Sequence, residues 1–317
     1  MSKILSIGKY RTLQRSSTED GIFNVLAIDH LDSLRRAINP DKPNSVTDEQ
    51  MVAIKHDVVS YLADHISGTL LDPVYGAGQL ISEHLSKNVG LLVELEKADY
   101  SMQPLPLAVD IRPNWSVEKI KRMGADGVKL FYYYDPDNTE LCEKQDTTIQ
   151  AVVEDCAKYD IPLYAEPIVT NITADTRQRK VIESAKRTDD LGADILKVEF
   201  PIDASANDNL SDWKTACEAL TDNVSAPWVL LSAGVDFEVF CQQVEIACKA
   251  GASGFIVGRA VWGDACKITD RQARIEWLKT IGVERIKTLN NIANQHAISW
   301  KTIYTAETIT PSWHENY

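Results

Sequence analysis

Two lysines and a glutamate interrupt otherwise apolar runs of this chain. Lys197 lies in Asp194-Ile195-Leu196-Lys197-Val198-Glu199-Phe200-Pro201, Lys129 in Val128-Lys129-Leu130, and Glu166 in Leu163-Tyr164-Ala165-Glu166-Pro167-Ile168. An amine stripped of water and set near another cation falls below its ordinary pKa of about 10.4, and a neutral amine attacks ketones to form imines. Lys197 is therefore a candidate nucleophile, Lys129 its activating cation, and Glu166 a carboxyl able to move protons beside an imine. The plainer alternatives are a lysine whose stem packs while its head reaches solvent, and a glutamate that only pairs with one of the lysines.

Such residues need elements to position them. Short β-rich runs occur at Phe23 to Asp29, Gly68 to Pro73, Gly90 to Glu96, Val128 to Asp135, Pro162 to Val169, Ile195 to Pro201, Trp228 to Gly234 and Phe255 to Trp262. Helical segments fall between them, at Asp48 to Ala63, Trp115 to Met123, Thr147 to Tyr159, Asp212 to Leu220 and Phe237 to Ala250. Near-continuously apolar strands separated by helices predict a parallel sheet covered on its outer face. Eight such units predict a single (β/α)8 TIM barrel, and no Gly-x-Gly-x-x-Gly follows the first strand to favour a doubly wound sheet. The barrel should occupy about 23–265 of a single 1–317 domain, with a helical extension and tail over 266–317. The polar stretches Asn171 to Arg187 and Asp203 to Ser211 read as loops after strands five and six.

An internal echo links the two lysines. Gly124-Ala125-Asp126-Gly127-Val128-Lys129 recurs as Gly192-Ala193-Asp194-Ile195-Leu196-Lys197, and a fainter Gly251-Ala252-Ser253-Gly254 precedes the eighth strand. Each reads as a helix ending in glycine that feeds the next strand. The lysines then occupy matching positions on strands four and six, and alternate strands of a barrel share interior layers. Two ammonium groups on one level should repel and lower one amine's pKa.

The carboxyl ends of barrel strands carry active sites. Asp29, closing strand one, reads as a site residue, whereas Asp72, followed by Pro73, reads mainly as a turn former. Leu231-Ser232-Ala233-Gly234 and Val257-Gly258-Arg259-Ala260 end strands seven and eight with small residues, a hydroxyl and a guanidinium. Ser232, Gly234, Gly258 and Arg259 together predict a phosphate cradle, since glycines let backbone amides approach and arginine supplies a fixed fork of donors. The alternative for Arg259 is a salt bridge to Asp264 or a neighbouring helix.

Composition excludes several functions. With 46 acidic against 33 basic side chains and a net charge of -13, the chain has no basic stripe for nucleic acid. Any small anionic ligand needs local donors to overcome the overall field. No signal peptide or long apolar span appears, which predicts a cytoplasmic protein without a membrane segment. The six cysteines form no Cys-x-x-Cys pair and the six histidines are scattered, so neither a zinc site nor a cofactor is expected.

The chain resembles the class I tagatose 1,6-bisphosphate aldolases and is similar to the related sulfofructosephosphate aldolases. The likeness runs from about Val25 to Trp262 through Leu70-Leu71-Asp72-Pro73-Val74-Tyr75-Gly76, Glu96-Lys97, Val128-Lys129-Leu130 and Leu196-Lys197-Val198-Glu199. It continues in Pro227-Trp228-Val229-Leu230-Leu231-Ser232 and Gly258-Arg259-Ala260-Val261-Trp262. The resemblance implies a metal-independent Schiff-base lyase that cleaves a ketose 1-phosphate, foremost tagatose 1,6-bisphosphate, to dihydroxyacetone phosphate and an aldehyde. By the same resemblance Lys197 is the Schiff-base lysine, Glu166 the acid and base, Asp29 a ligand of substrate hydroxyls, and Lys129 an active-site cation. Ser232, Gly258 and Arg259 are then binders of the C1 phosphate, and the assembly is a homo-oligomer. The alternatives are a sulfofructosephosphate or deoxyketose-phosphate aldolase, or a non-catalytic sugar-phosphate-binding regulator. One departure stands out: after the strand-one aspartate the family has Gln-Arg, whereas this chain reads Asp29-His30-Leu31-Asp32. Arg35 or Arg36, about a helical turn later, is a candidate substitute for the missing arginine. Tyr317 invites comparison with tails that enter aldolase sites, but an exposed, disordered end is the expectation.

Overall fold

The computed structural model describes residues 3–83, 85–97, 108–315 and 317. The chain enters as β1 (Lys3–Leu5) and α1 (Ile7–Ser16), then runs β2 (Phe23–Ala27), α2 (Asp32–Ile38), α3 (Asp48–Leu62), β3 (Gly68–Leu71), α4 (Ala77–Ser82) and β4 (Gly90–Glu94). It continues as α5 (Val117–Arg122), β5 (Gly127–Tyr134), α6 (Thr139–Lys158), β6 (Leu163–Val169), α7 (Ala174–Asp190), β7 (Ile195–Val198) and α8 (Leu210–Asn223). Last come β8 (Trp228–Leu231), α9 (Phe237–Lys249), β9 (Gly254–Val257), α10 (Arg259–Trp262), α11 (Arg271–Trp277), α12 (Val283–His296) and β10 (Tyr304–Ala306). Strands β2 to β9 pair in order, all parallel, and β9 closes back onto β2. This is the expected (β/α)8 TIM barrel.

The period-two alternation of strand side chains divides the core into two layers. Leu26, Val128, Leu130, Ala165, Leu196, Val198 and Leu230 face outward and pack under the helices. Phe23, Val25, Leu70, Leu92, Tyr164, Ile195, Val229 and Ile256 fill the lumen. Helix α1 plugs the amino-terminal end of the barrel, adding Leu13 to that lumen cluster. A Cβ at Gly90 would fall 2.5 Å from the Ser16 Cα, so only glycine lets α1 lie this close to β4. The repeated Gly-Ala-Asp motif belongs to this lower end. Asp126 accepts from the Leu91 amide and Asp194 from the Leu163 amide, both at 2.9 Å. The two carboxylates also pair with Arg15 and Lys9 of α1, at 2.7 and 2.8 Å. The motif thus ties helix ends, neighbouring strands and the plug together. Gly124, Gly192 and Gly251 all have positive φ, as glycines terminating helices do.

Two sequence readings are corrected. The run Phe255 to Trp262 is not one strand: β9 ends at Val257 and α10 starts at Arg259. Ala260, Val261 and Trp262 are apolar because that short helix packs into the outer layer, where Trp262 Nε1 donates to the Ala27 carbonyl at 2.9 Å. Asn171 to Arg187 is largely helix α7, and only its first residues form the loop. Its buried face includes Lys180, Ser184 and Thr188 beside Val181 and Ala185, so polar side chains masked the helical stripe. The tail lies at the opposite end from the strands' carboxyl termini, with β10 pairing β1 and the Tyr317 hydroxyl donating to Asp160.

Candidate active site

The outward packing of Val128 and Leu130, Ala165, and Leu196 and Val198 turns Lys129, Glu166 and Lys197 inward from three neighbouring strands. They meet at the carboxyl mouth, all three essentially buried. Glu166 bridges the lysines: its Oε1 is 2.8 Å from Lys197 Nζ and its Oε2 is 3.1 Å from Lys129 Nζ. Lys129 also donates to Asp29 Oδ2 at 2.9 Å and Glu96 Oε1 at 2.6 Å. The expected repulsion of two bare ammonium groups is therefore not what the mouth contains. A carboxylate stands between them, within reach of either proton.

Charge sets the protonation of the surrounding acids. Burial pushes the Asp29 carboxyl up, but Lys129, Lys197 and His30 outweigh it and hold the group well below the usual carboxylate range. Burial and the neighbouring Glu96 push Glu94 well up, although Glu94 accepts from Arg112 at 2.7 Å. Burial also raises Glu96, with Lys129 opposing. Glu199 is raised by burial against the lowering influence of Arg177, which lies 3.2 Å away.

Beside this network opens a cavity of about 200 Å³ whose walls include Lys197, Glu166, His30, Ser232 and Arg259. Arg259 is exposed at its rim, with its guanidinium across Gly234. A Cβ on Gly234 would sit 3.0 Å from Arg259 Nη2, and its φ of +79° independently demands glycine. The Gly258 amide donates to Ser232 Oγ at 3.5 Å, joining the two loops. Among the described residues Arg259 forms no salt bridge, and Asp264 pairs instead with Lys267 and Arg285, both at 3.0 Å.

All eight residues expected at the site thus gather at one mouth: Lys197, Glu166, Lys129 and Asp29 in a bonded network, Ser232, Gly234, Gly258 and Arg259 around the adjoining cavity. Asp72 is a turn former as read, accepting from the Val74 and Tyr75 amides at 2.8 and 2.7 Å. Arg35 is committed elsewhere, to Asp48 at 2.6 Å, the Tyr75 hydroxyl at 2.9 Å and the Val46 carbonyl. Arg36 is exposed. Sequence reasoning gave no role to Glu94, Glu96, His30 or Glu199. The signal was available for three of them: Glu94 and Glu96, and Lys197 and Glu199, are two apart on strand ends and share a face. The cysteines are buried or half-buried free thiols. No described helix is long and apolar enough to cross a membrane.

A closed parallel barrel with a buried lysine–carboxylate network opening at its carboxyl end has the layout of a TIM-barrel enzyme. The comparisons refine that class. A model described as "DeoC/LacD family aldolase" matches residues 24–264. The tagatose 1,6-diphosphate aldolase 2 of Streptococcus agalactiae serotype III (strain NEM316) is 33% identical, over 94% of this chain and 99% of that protein. The tagatose 1,6-diphosphate aldolase of Lactococcus lactis subsp. lactis is 31% identical, over 94% and 98%. The chain belongs to the DeoC/LacD aldolase family and is a carbon–carbon lyase. Among solved structures, an archaeal fructose 1,6-bisphosphate aldolase superposes with a TM-score of 0.61 at 19% identity, covering 90% of this chain and 99% of that one. A Schiff base-forming fructose-1,6-bisphosphate aldolase gives 0.60 at 20%, covering 86% and 98%. At that identity the likeness is one of fold.

Proposed function

We propose that the protein is a class I aldolase cleaving a ketose 1-phosphate, with tagatose 1,6-bisphosphate as substrate, and that Lys197 is its Schiff-base lysine. The observation that carries this reading is the 2.8 Å contact between Lys197 Nζ and Glu166 Oε1 on the wall of a cavity that also holds Arg259 and Ser232. The sequence relatives named for tagatose 1,6-diphosphate support the choice of sugar.

Arg259, Ser232 and the amides at Gly234 and Gly258 hold the C1 phosphate, so the C2 ketone lies against Lys197 and attack becomes effectively intramolecular. Glu166 takes a proton from the Lys197 ammonium, and the free amine adds to C2. The carbinolamine oxygen, protonated by Glu166, leaves as water and an iminium remains. Glu166, again a carboxylate, removes the C4 hydroxyl proton as the C3–C4 electron pair flows to the iminium nitrogen. An aldehyde departs. The enamine takes a proton at C3, and water hydrolyses the resulting iminium to dihydroxyacetone phosphate and free Lys197. Asp29, held as a carboxylate, orients substrate hydroxyls, and Lys129 fixes both Asp29 and Glu166.

A second reading of the substrate's far end rests on Arg35, whose guanidinium is engaged by Asp48, Tyr75 and Val46. With no arginine after Asp29 and Arg35 engaged, a sulfonate or an uncharged C6 group fits the same chemistry. A cytoplasmic homo-oligomer is the proposed setting. Borohydride reduction with tagatose 1,6-bisphosphate should add the mass of a reduced adduct to the peptide containing Lys197. No adduct, or one that survives Lys197→Ala, rejects the Schiff-base reading. Running fructose 1,6-bisphosphate, sulfofructose phosphate and 6-deoxyketose phosphates in parallel decides the far end.

A further inference from the structure

His30 replaces the glutamine of the family pattern, and its surroundings fix the imidazole against the loops that form the proposed phosphate cradle. Its backbone carbonyl accepts from the buried Lys55 Nζ at 2.8 Å. Trp262 meets the ring edge to face, with centroids 5.2 Å apart and planes at 86°. Nδ1 lies 3.5 Å from Asp29 Oδ1, so that edge of the ring is turned toward a carboxylate. The adjoining Cε1–Nε2 edge runs along Gly258: a Cβ there would fall 3.2 Å from His30 Cε1 and 3.8 Å from Nε2. Glycine at 258 therefore leaves room for the ring. His30 is buried and lines the same cavity as Lys197, Ser232 and Arg259.

We infer that His30 is a further phosphate ligand, donating from Nε2 of its imidazolium to the anion held by Ser232, Gly258 and Arg259. The inference rests on the cradle proposed above and assigns it a residue that makes anion binding pH-dependent. Charged groups face the ring or its cavity from several elements. Among the described residues these include Asp29 beside it, Lys55 on α3 at its backbone carbonyl, Lys129 on β5, Glu166 on β6, Lys197 and the following Glu199 at β7, and Arg259 on α10. Asp29 favours the charged ring and Arg259 opposes it, while Lys129 and Lys197 are drawn off by their own carboxylates at 2.8 to 3.1 Å. An imidazole gains a proton and a donor as pH falls and loses both as it rises, so the added contact strengthens toward acid. A net charge of -13 makes one more local cation consequential for an anionic substrate.

The test uses sulfate, which stays a dianion across pH 6 to 8.5, titrated calorimetrically into the intact protein so that no turnover is needed. Wild type should bind sulfate about tenfold more tightly at the acid end, as expected for a charge-assisted donor. His30→Gln should lose that dependence and match wild type only at high pH. Arg259→Gln should weaken sulfate throughout while keeping the dependence on pH. A pH-independent wild type, an absence of sulfate binding at pH 6, or an unchanged slope in His30→Gln overturns the inference. His30→Asn provides the same readout if the glutamine variant folds poorly. Borohydride trapping is run separately: an adduct in wild type with a flat sulfate profile removes His30 alone, whereas a sloping profile without an adduct removes only the Schiff-base chemistry.

Discussion

Of the lysines the barrel buries, Lys55 and Lys197 lie in contrasting surroundings. Behind the mouth, Lys55 on α3 is wholly enclosed, and its ammonium donates to the Ile28 carbonyl at 2.6 Å, the His30 carbonyl at 2.8 Å and Asp72 Oδ2 at 2.5 Å. Three donors meet three acceptors. This charge is balanced, saturated and closed to ligands, so its role is to clamp the segment carrying Asp29 and His30 against the end of β3. In the mouth, Lys197 has one ion-pair partner among the described residues, Glu166, and forms part of a cavity wall. Lys180 repeats the first pattern, paired with Asp135 at 2.6 Å and Asp137 at 3.0 Å. Burial is thus common to the supporting lysines and to the proposed nucleophile. What separates them is whether the nitrogen has an open side.

The comparison breaks most sharply at Lys197 itself. Lys197→Met should lower turnover by at least about a thousandfold, as removal of a covalent nucleophile does, yet shift thermal stability little because Glu166 keeps Lys129 as a partner. Glu166→Gln should lower kcat by about 10² to 10⁴-fold, in the range of general acid–base catalysis, while still allowing slow borohydride trapping. Lys55→Met should have the converse profile. Stranding Asp72 and two carbonyls in the core should cost about 3–5 kcal/mol in chemical denaturation, with trapping retained by the folded fraction. Equal stability losses at 55 and 197, or loss of trapping in folded Lys55→Met, would erase the distinction between clamp and nucleophile.

Much of this site was legible in the sequence because strands make position predictable. A charged residue flanked by apolar neighbours at i±1 must face the lumen when both neighbours pack under helices, as Leu196 and Val198 do around Lys197. The same logic exposes Lys129 and Glu166. The Ser232 and Gly258 loops were readable from their small residues at strand ends. Lys55 was not, because on an amphipathic helix a lone lysine ordinarily reaches solvent, and only the convergence of two strand ends around it shows otherwise. The role of Glu166 as a bridge was also hidden. Sequence spacing gives the level of a side chain in the barrel, whereas the order of charges across that level depends on stagger between strands. Helix α7 was misread for a related reason: its buried Lys180, Ser184 and Thr188 find polar partners within the fold, including Asp135 for Lys180 and the Tyr132 hydroxyl, 2.6 Å from Thr188 Oγ1.

The smallest expected effect sharpens the contrast in charge balance. Around Lys55 one ammonium meets one carboxylate, but the mouth gathers Asp29, Glu94, Glu96 and Glu166 near Lys129, Lys197 and Arg112. Burial and the neighbouring Glu96 raise Glu94 well above its ordinary value of 4.5, so the folded state favours its protonated form. A raised folded pKa gives a contribution that is fully present below the unfolded pKa and is lost as pH rises toward the folded one. Glu94→Gln keeps a neutral side chain at every pH and retains a carbonyl for Arg112. Thermal unfolding should therefore find the variant and wild type alike near pH 4, with the variant gaining a few degrees by pH 8. A wild type that is the more stable at pH 8 would mean that the ionised Glu94–Arg112 pair outweighs desolvation, leaving the mouth as well balanced as the Lys55 clamp.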